Sequence, residues 1–228
     1  MKDSKKAELV LNGEGKVYHL NLKPGDLAET IFLVGDPARA KTIANFFDII
    51  ELEASNREIN TFTGTYKGKE LSVLSTGMGT DNIEIVVNEI DALFNIDFNT
   101  HLPKETTTSL NLIRIGTSGA LQKDISVVNS FLVSAYGLGL DGLAYFYKDG
   151  PFVMEREFTS SFINQLEWDK NLPKPYAMKA SSHLLQKLGG DYQKGITLTA
   201  PGFYAPQGRE LRLEVTDNTL IERASRFK

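Results

Sequence analysis

The residues with the clearest capacity for chemistry lie in LIRIGTSGAL, Leu112 to Leu121. Leu112, Ile113 and Ile115 form a short apolar run that reads as a buried strand. It breaks into Gly116-Thr117-Ser118-Gly119, a small-residue turn that leaves backbone N–H groups and two hydroxyls uncovered. Arg114 stands inside the apolar run, where a guanidinium is costly unless an anion meets it. Exposed N–H groups, hydroxyls and a fixed arginine at a strand end make an anion cradle, best matched to phosphate. A second turn of this kind is Gly35-Asp36-Pro37-Ala38-Arg39. Gly35 admits a ligand to the backbone, a helix starting near Pro37 offers free N–H groups, and Arg39 adds charge. Taken alone, that string also serves as a plain strand-to-helix connection. Beside the first, it supplies the second cation that a phosphate dianion needs, each charge-assisted bond being worth about 1.5–3 kcal/mol.

Two further strings carry polar or aromatic groups at breaks in the pattern. Gly77-Met78-Gly79-Thr80 is either a ligand contact or a turn that lets two elements pack closely. Phe203-Tyr204-Ala205-Pro206-Gln207-Gly208-Arg209 sets aromatics, an amide and a guanidinium in one Pro/Gly loop. Gln both donates and accepts and Arg presents a donor fork, so the pair suits a planar heterocycle bearing carbonyls and an N–H. The plainer alternative is a solvated loop around a buried Phe. The three histidines, His19, His101 and His183, have no metal-binding spacing. No Ser/His/Asp order, paired catalytic carboxylates or HExxH string is present. An enzyme built on these residues positions a bound nucleophile, and phosphate itself is the candidate.

The elements that must hold these residues follow an α/β pattern. Thr30 to Val34 reads as a buried strand, followed by a helix from Ala38 to Phe47 with Ile43, Phe46 and Phe47 on its apolar side and Asp36 as N-cap. Glu58 to Tyr66 and Leu71 to Ser75 read as a hairpin about Lys67-Gly68-Lys69. Asp81 caps a helix through Ile83, Val86, Val87, Ile90 and Leu93. The segment from Asn95 to Ser109 reads as a polar surface excursion before the cradle strand. Later strands are expected over Val127 to Ser134, punctuated by Gly137-Leu138-Gly139, and over Gly195 to Thr199. Helices are expected over Ser160 to Glu167 and Ala180 to Leu188. Strands alternating with helices and ending in glycine breaks predict a mixed sheet covered by helices, with ligands at strand ends.

Composition bounds the class. The chain has 228 residues, 41% hydrophobic and 24% charged, with a formal net charge of −4. An acidic balance argues against nucleic acid as partner, so a phosphate site is a local exception on this surface. Without cysteine there is no disulfide framework, thiolate chemistry or Cys-ligated metal. The first twenty residues are mixed and polar, and no run approaches the ~20 apolar residues of a membrane span. A cytoplasmic protein without membrane association is the expectation.

In order and spacing, His19, GDPAR, SNREINTF, STGMG, RIGTSGA and FYAPQGR resemble the nucleoside phosphorylase superfamily, and are most similar to its uridine phosphorylase branch. The resemblance implies one α/β domain over residues 1–228, a three-layer fold with a central mixed β-sheet flanked by helices. It implies reversible phosphorolysis of uridine or a related pyrimidine nucleoside to uracil and ribose 1-phosphate, with phosphate as co-substrate and no organic cofactor. Purine phosphorolysis, a nucleosidase of the same fold and a non-catalytic nucleoside- or anion-binding protein are the alternatives.

Position by position, the resemblance assigns phosphate to Gly35, Arg39, Arg57, Arg114, Gly116 and Thr117. It assigns the nucleoside to His19, Phe203, Gln207 and Arg209, with Arg114, Gln207 and Arg209 acting on the reaction itself. Arg57 and His19 would be lent to a neighbouring subunit's site, which makes a homodimer the minimal active unit; family dimers commonly assemble into hexamers. A monovalent cation bound in some members would fall on Glu58 and Met78, with Asn82 where those members have serine. The family's ribose-gripping Glu-Met-Glu stretch is expected soon after Arg226, so the 228 residues are expected to lack the closing strands and helix and to have little activity by themselves.

Overall fold

The apolar runs do pair, and their alternation explains how. The computed structural model describes residues 8–126, 128 and 130–227, which fall into two compact units divided between Gly116 and Thr117. In the first unit, β1 (Thr30–Val34) leads into α1 (Pro37–Ala44), then β2 (Ile49–Asn56), β3 (Ile59–Tyr66), β4 (Lys69–Ser75) and α2 (Thr80–Asn95). The two-residue strands β5 (Ile96–Asp97) and β6 (Leu102–Pro103) pair with each other, and β7 (Asn111–Arg114) ends the unit. The main sheet has the order β2-β3-β4-β1-β7. β2, β3 and β4 run antiparallel in succession, while β1 lies parallel to both β4 and β7. The sheet is mixed, as expected.

Residues one apart on a strand face opposite sides, and this sheet uses both. Ile31 and Leu33 of β1, Ile59 of β3 and Leu74 of β4 pack with Val86, Ile90 and Leu93 of α2. Val34, Phe62 and Val73, on the other face, pack with Ala40 and Ala44 of α1. Each fully buried Leu or Ile here contributes about 1.5–3 kcal/mol. One buried polar chain ties the sheet to the segment before β1. Ser72 Oγ accepts from Ala28 N–H (2.9 Å) and pairs with Thr63 Oγ1 (2.7 Å), which donates to the Asp26 carbonyl (2.7 Å). Ser72→Ala strands the buried Ala28 N–H, an expected cost of about 1–3 kcal/mol. A lower urea midpoint at unchanged slope is the measurement that checks it.

Several boundaries differ from the sequence reading. α1 stops at Ala44, and Phe46, in the turn beyond it, is 69% exposed rather than part of an apolar helix face. Gly79, not Asp81, is the N-cap of α2; its φ of +103° suits glycine, and Asp81 sits in the first turn without capping. β2 was not anticipated.

The second unit contains β8 (Leu132–Gly139), α3 (Gly150–Val153), α4 (Arg156–Gln165), β9 (Tyr176–Lys179), α5 (Ser182–Leu188), β10 (Gln193–Thr199) and α6 (Leu220–Ser225). Its sheet has the order β10-β8-β9, with β10 parallel and β9 antiparallel to β8. Of the strand expected over residues 127–134, Val127 and Asn129 lie outside the described residues. The strand observed runs from Leu132 to Gly139, so Gly137 lies inside it and Gly139 is its last residue. Leu138, Leu140, Phe162, Leu166, Leu220 and Phe227 form the core of this unit. No helix among the described residues is long and apolar enough to cross a membrane.

Candidate active site

The parallel pairing brings three strand ends level in the first unit. Val34 is in register with Ser75, and Leu33 with Arg114. Beyond the strands, Thr76 N–H donates to the Val34 carbonyl (2.7 Å) and Ile115 N–H to the Leu33 carbonyl (2.9 Å). The carboxyl ends of parallel strands are where open α/β sheets bind ligands; Arg114 ends β7 here, and Arg39 of α1 lies near enough to repel it. Arg114 keeps solvent access at the strand end, yet enough protein surrounds its guanidinium that desolvation lowers its pKa, and repulsion from Arg39 lowers it further. Neither arginine has an acidic partner among the described residues. A Cβ on Gly35 would stand 3.7 Å from Arg114 Nη2 and 3.5 Å from the Gly77 carbonyl, so glycine keeps the space before the guanidinium open. Gly116 likewise faces open space, and Thr117 follows as the first residue of the second unit.

The start of α1 is less available than the sequence suggested. Asp36 Oδ1 accepts from Ala38 N–H (2.9 Å), and the Asp36 carbonyl takes the N–H groups of Arg39 (3.1 Å) and Ala40 (3.2 Å). An anion bound here would meet the arginine side chains rather than a free helix N-terminus. The Gly77 turn resolves towards close packing, because a Cβ there would fall 2.7 Å from both Glu58 Cγ and Asn82 Nδ2.

A second group in the same unit gathers at the β2–β3 turn. Arg57 has φ of +54°, a conformation that side chains other than glycine rarely adopt and that clusters at functional positions. Its guanidinium lies over the Tyr18 ring (5.9 Å). His19, Arg57, Glu58, Thr76 and Asn82 line a concavity of about 30 Å³. Asn82 Nδ2 donates to Glu58 Oε1 (3.0 Å), so an amide meets the carboxylate at the place assigned by resemblance to a cation, and the Met78 side chain is exposed. No cluster of three or more His, Asp or Glu able to hold a metal occurs among the described residues.

In the second unit, the loop after β10 gathers the third group. Tyr204's carbonyl accepts from the N–H groups of Gln207 (2.9 Å) and Arg209 (3.0 Å), closing a turn with Gly208 at φ +67°. The Arg209 guanidinium lies 4.4 Å from the centre of the Phe203 ring. Phe203 is 59% exposed, which removes the plainer reading of a loop around a buried Phe. Gln207 Nε2 donates to the Gly202 carbonyl (3.1 Å), leaving Oε1 to accept. The loop thus offers an aromatic face, a guanidinium donor and an amide acceptor, a set that fits a planar ring with carbonyls and an N–H. One participant escaped the sequence reading: Glu89 of α2, which receives the backbone and ring of His19.

A model of the phosphorylase superfamily matches residues 29–222, and the chain belongs to that family. A uridine phosphorylase from Thermococcus kodakarensis is 31% identical over 89% of this chain and 62% of its own length. A purine nucleoside phosphorylase of the DeoD type from Alkaliphilus metalliredigens is 44% identical, over 48% of this chain and 42% of its own length. The chain thus spans less than two thirds of the curated relatives it matches. Among solved structures, the Trypanosoma brucei nucleoside phosphorylase, described as showing uridine phosphorylase activity, superposes with a TM-score of 0.80 at 28% identity. That match covers 96% of this chain and 77% of the other.

Proposed function

We propose that the protein catalyses reversible phosphorolysis of uridine or a related pyrimidine nucleoside. The observation that carries this reading is the Arg39–Arg114 pair. Arg114 at the end of β7 and Arg39 in the first turn of α1 are neighbouring cations without a carboxylate partner among the described residues, a favourable arrangement when an anion lies between them. In this reading Arg39, Arg114, Gly35, Gly116 and Thr117 hold phosphate. A phosphate oxygen attacks C1′ of the nucleoside as the bond from C1′ to the base breaks, and the bonding electron pair leaves with the base. Arg209 stabilises the negative charge that grows on the uracil carbonyls, Gln207 Oε1 accepts the ring N–H, and Phe203 covers the ring. These interactions strengthen as the bond breaks, so they lower the barrier rather than merely fix the substrate. Arg57 and His19 serve the phosphate and the sugar's 5′-hydroxyl in a homodimer. The step uses phosphate as co-substrate and calls for no organic cofactor.

The names of the Thermococcus and Trypanosoma proteins support the pyrimidine reading. The purine reading draws on the Alkaliphilus relative. A site that hydrogen-bonds its substrate's polar edge rejects mismatched edges strongly, and the Gln207–Arg209 pair matches uracil. Incubating the full-length protein with uridine, inosine and adenosine, with and without phosphate, tests both readings. Uracil release that requires phosphate and outpaces both purines is expected. Release without phosphate would mean hydrolysis, and faster purine turnover would reassign the substrate.

A further inference from the structure

We propose that Glu89 is a positioning residue that fixes the tautomer of His19, so that Nε2 faces the ligand as a bare hydrogen-bond acceptor. The inference rests on the reading above in one respect, that His19 meets the sugar's hydroxyl; the geometry that supports it is independent of that reading. The Glu89 side chain, only 12% exposed, rises from α2 into the segment before β1. His19 N–H reaches both of its oxygens (3.1 Å each), and Leu20 N–H donates to Oε2 (2.8 Å). His19 Nδ1 lies 2.5 Å from Oε1. Backbone N–H groups can only donate, so they commit this carboxylate to accepting, and the Nδ1 contact is satisfied when Nδ1 carries the proton. A neutral imidazole protonated at Nδ1 has an unprotonated Nε2. The ring cannot readily turn away. Tyr18 packs edge-on against it at 5.1 Å, and Asn56 Nδ2 donates to the carbonyls of Tyr18 (3.1 Å) and His19 (2.9 Å).

An acceptor aimed at a ligand selects for a donor. A free 5′-hydroxyl satisfies Nε2, whereas a 5′-deoxy sugar leaves it unpaired, and sites built to bond a hydroxyl reject analogues that lack it. Glutamine at position 89 breaks the logic without removing bulk. One of its two terminal atoms is a donor, so either Nδ1–H or a backbone N–H of His19–Leu20 loses its acceptor.

The test reads the tautomer directly and the selectivity separately. Two-bond proton–nitrogen correlation spectra of histidine-labelled protein, with the imidazoles neutral and His19 assigned by its loss in His19→Ala, are expected to show His19 protonated at Nδ1. In Glu89→Gln that population is expected to shift towards Nε2–H. The parent protein is expected to turn over uridine at least about tenfold more efficiently than 5′-deoxyuridine, and Glu89→Gln to shrink the preference to within about threefold. A His19 protonated at Nε2 in the parent protein overturns the proposal, even if Glu89→Gln does not fold. So does a variant that loses equally on both nucleosides while keeping Nδ1–H. If the parent protein releases no uracil from either, the proposed function fails, and the spectra still decide the role of Glu89.

Discussion

Arg114→Ala is expected to lower phosphate-dependent turnover a few hundredfold, about 3–4 kcal/mol of transition-state stabilisation. The magnitude follows from two charge-assisted bonds to the phosphate, lost together. The same substitution should leave the unliganded protein no less stable. Arg114 is desolvated in part and repelled by Arg39, so its removal relieves both effects when no anion is present. Phosphate should therefore raise the melting temperature of the parent protein and do so far less for the variant, because a ligand stabilises the state that binds it. Arg114→Lys keeps a charge but not the planar fork, and should recover only part of the activity. Initial rates across a range of phosphate concentrations check the assignment. A variant with near-parental phosphate dependence would move the anion site away from the strand ends.

What the sequence could and could not reveal follows from where each signal originates. β1 and β4 were legible because their apolar residues alternate between two covered faces and stop at Gly35 and Gly77. β2 was not, because IIELEASN is an edge strand with mostly exposed side chains, and its strand character comes from pairing with β3. Gly137 and Gly139 read as breaks, yet they sit opposite Thr197 and Thr199 of β10. At Gly139 a Cβ would fall 2.5 Å from the Tyr176 ring, so the glycine serves close packing, a contact between residues 37 positions apart. The arginines were legible individually, because a guanidinium next to a glycine turn is conspicuous. Their proximity depends on β1 lying between β4 and β7, which no local pattern encodes. The capture of the α1 N–H groups by Asp36 was equally hidden, being a matter of backbone geometry at the cap. Glu89 did leave a trace. It lies three residues after Val86 and four before Leu93, on the buried stripe of α2, and a carboxylate there signals a partner waiting across the interface.

Arg209→Ala is expected to lower kcat for uridine by about 10²–10³-fold, the usual loss when one donor to a developing anion is removed. KM should move much less, since uracil acquires its charge only as the bond from C1′ breaks. Arg209 is suited to this task by its position. The Phe203 ring beneath the guanidinium restrains it, and the bond from the Arg209 backbone N–H to the Tyr204 carbonyl fixes where the side chain starts. Phe203→Leu should therefore weaken the same step by a smaller factor, through loss of the ring. Arg209→Lys should fall between parent and alanine, because a flexible ammonium cannot reproduce the fork. The leaving group provides the sharper check. 5-Fluorouracil leaves as a more stable anion than uracil, so it needs less help from a cation, and Arg209→Ala should lose less with 5-fluorouridine than with uridine. Equal losses on the two nucleosides, or a change confined to KM, would show that Arg209 docks the base without stabilising its departure. The charge on uracil would then have to be met from elsewhere in the site.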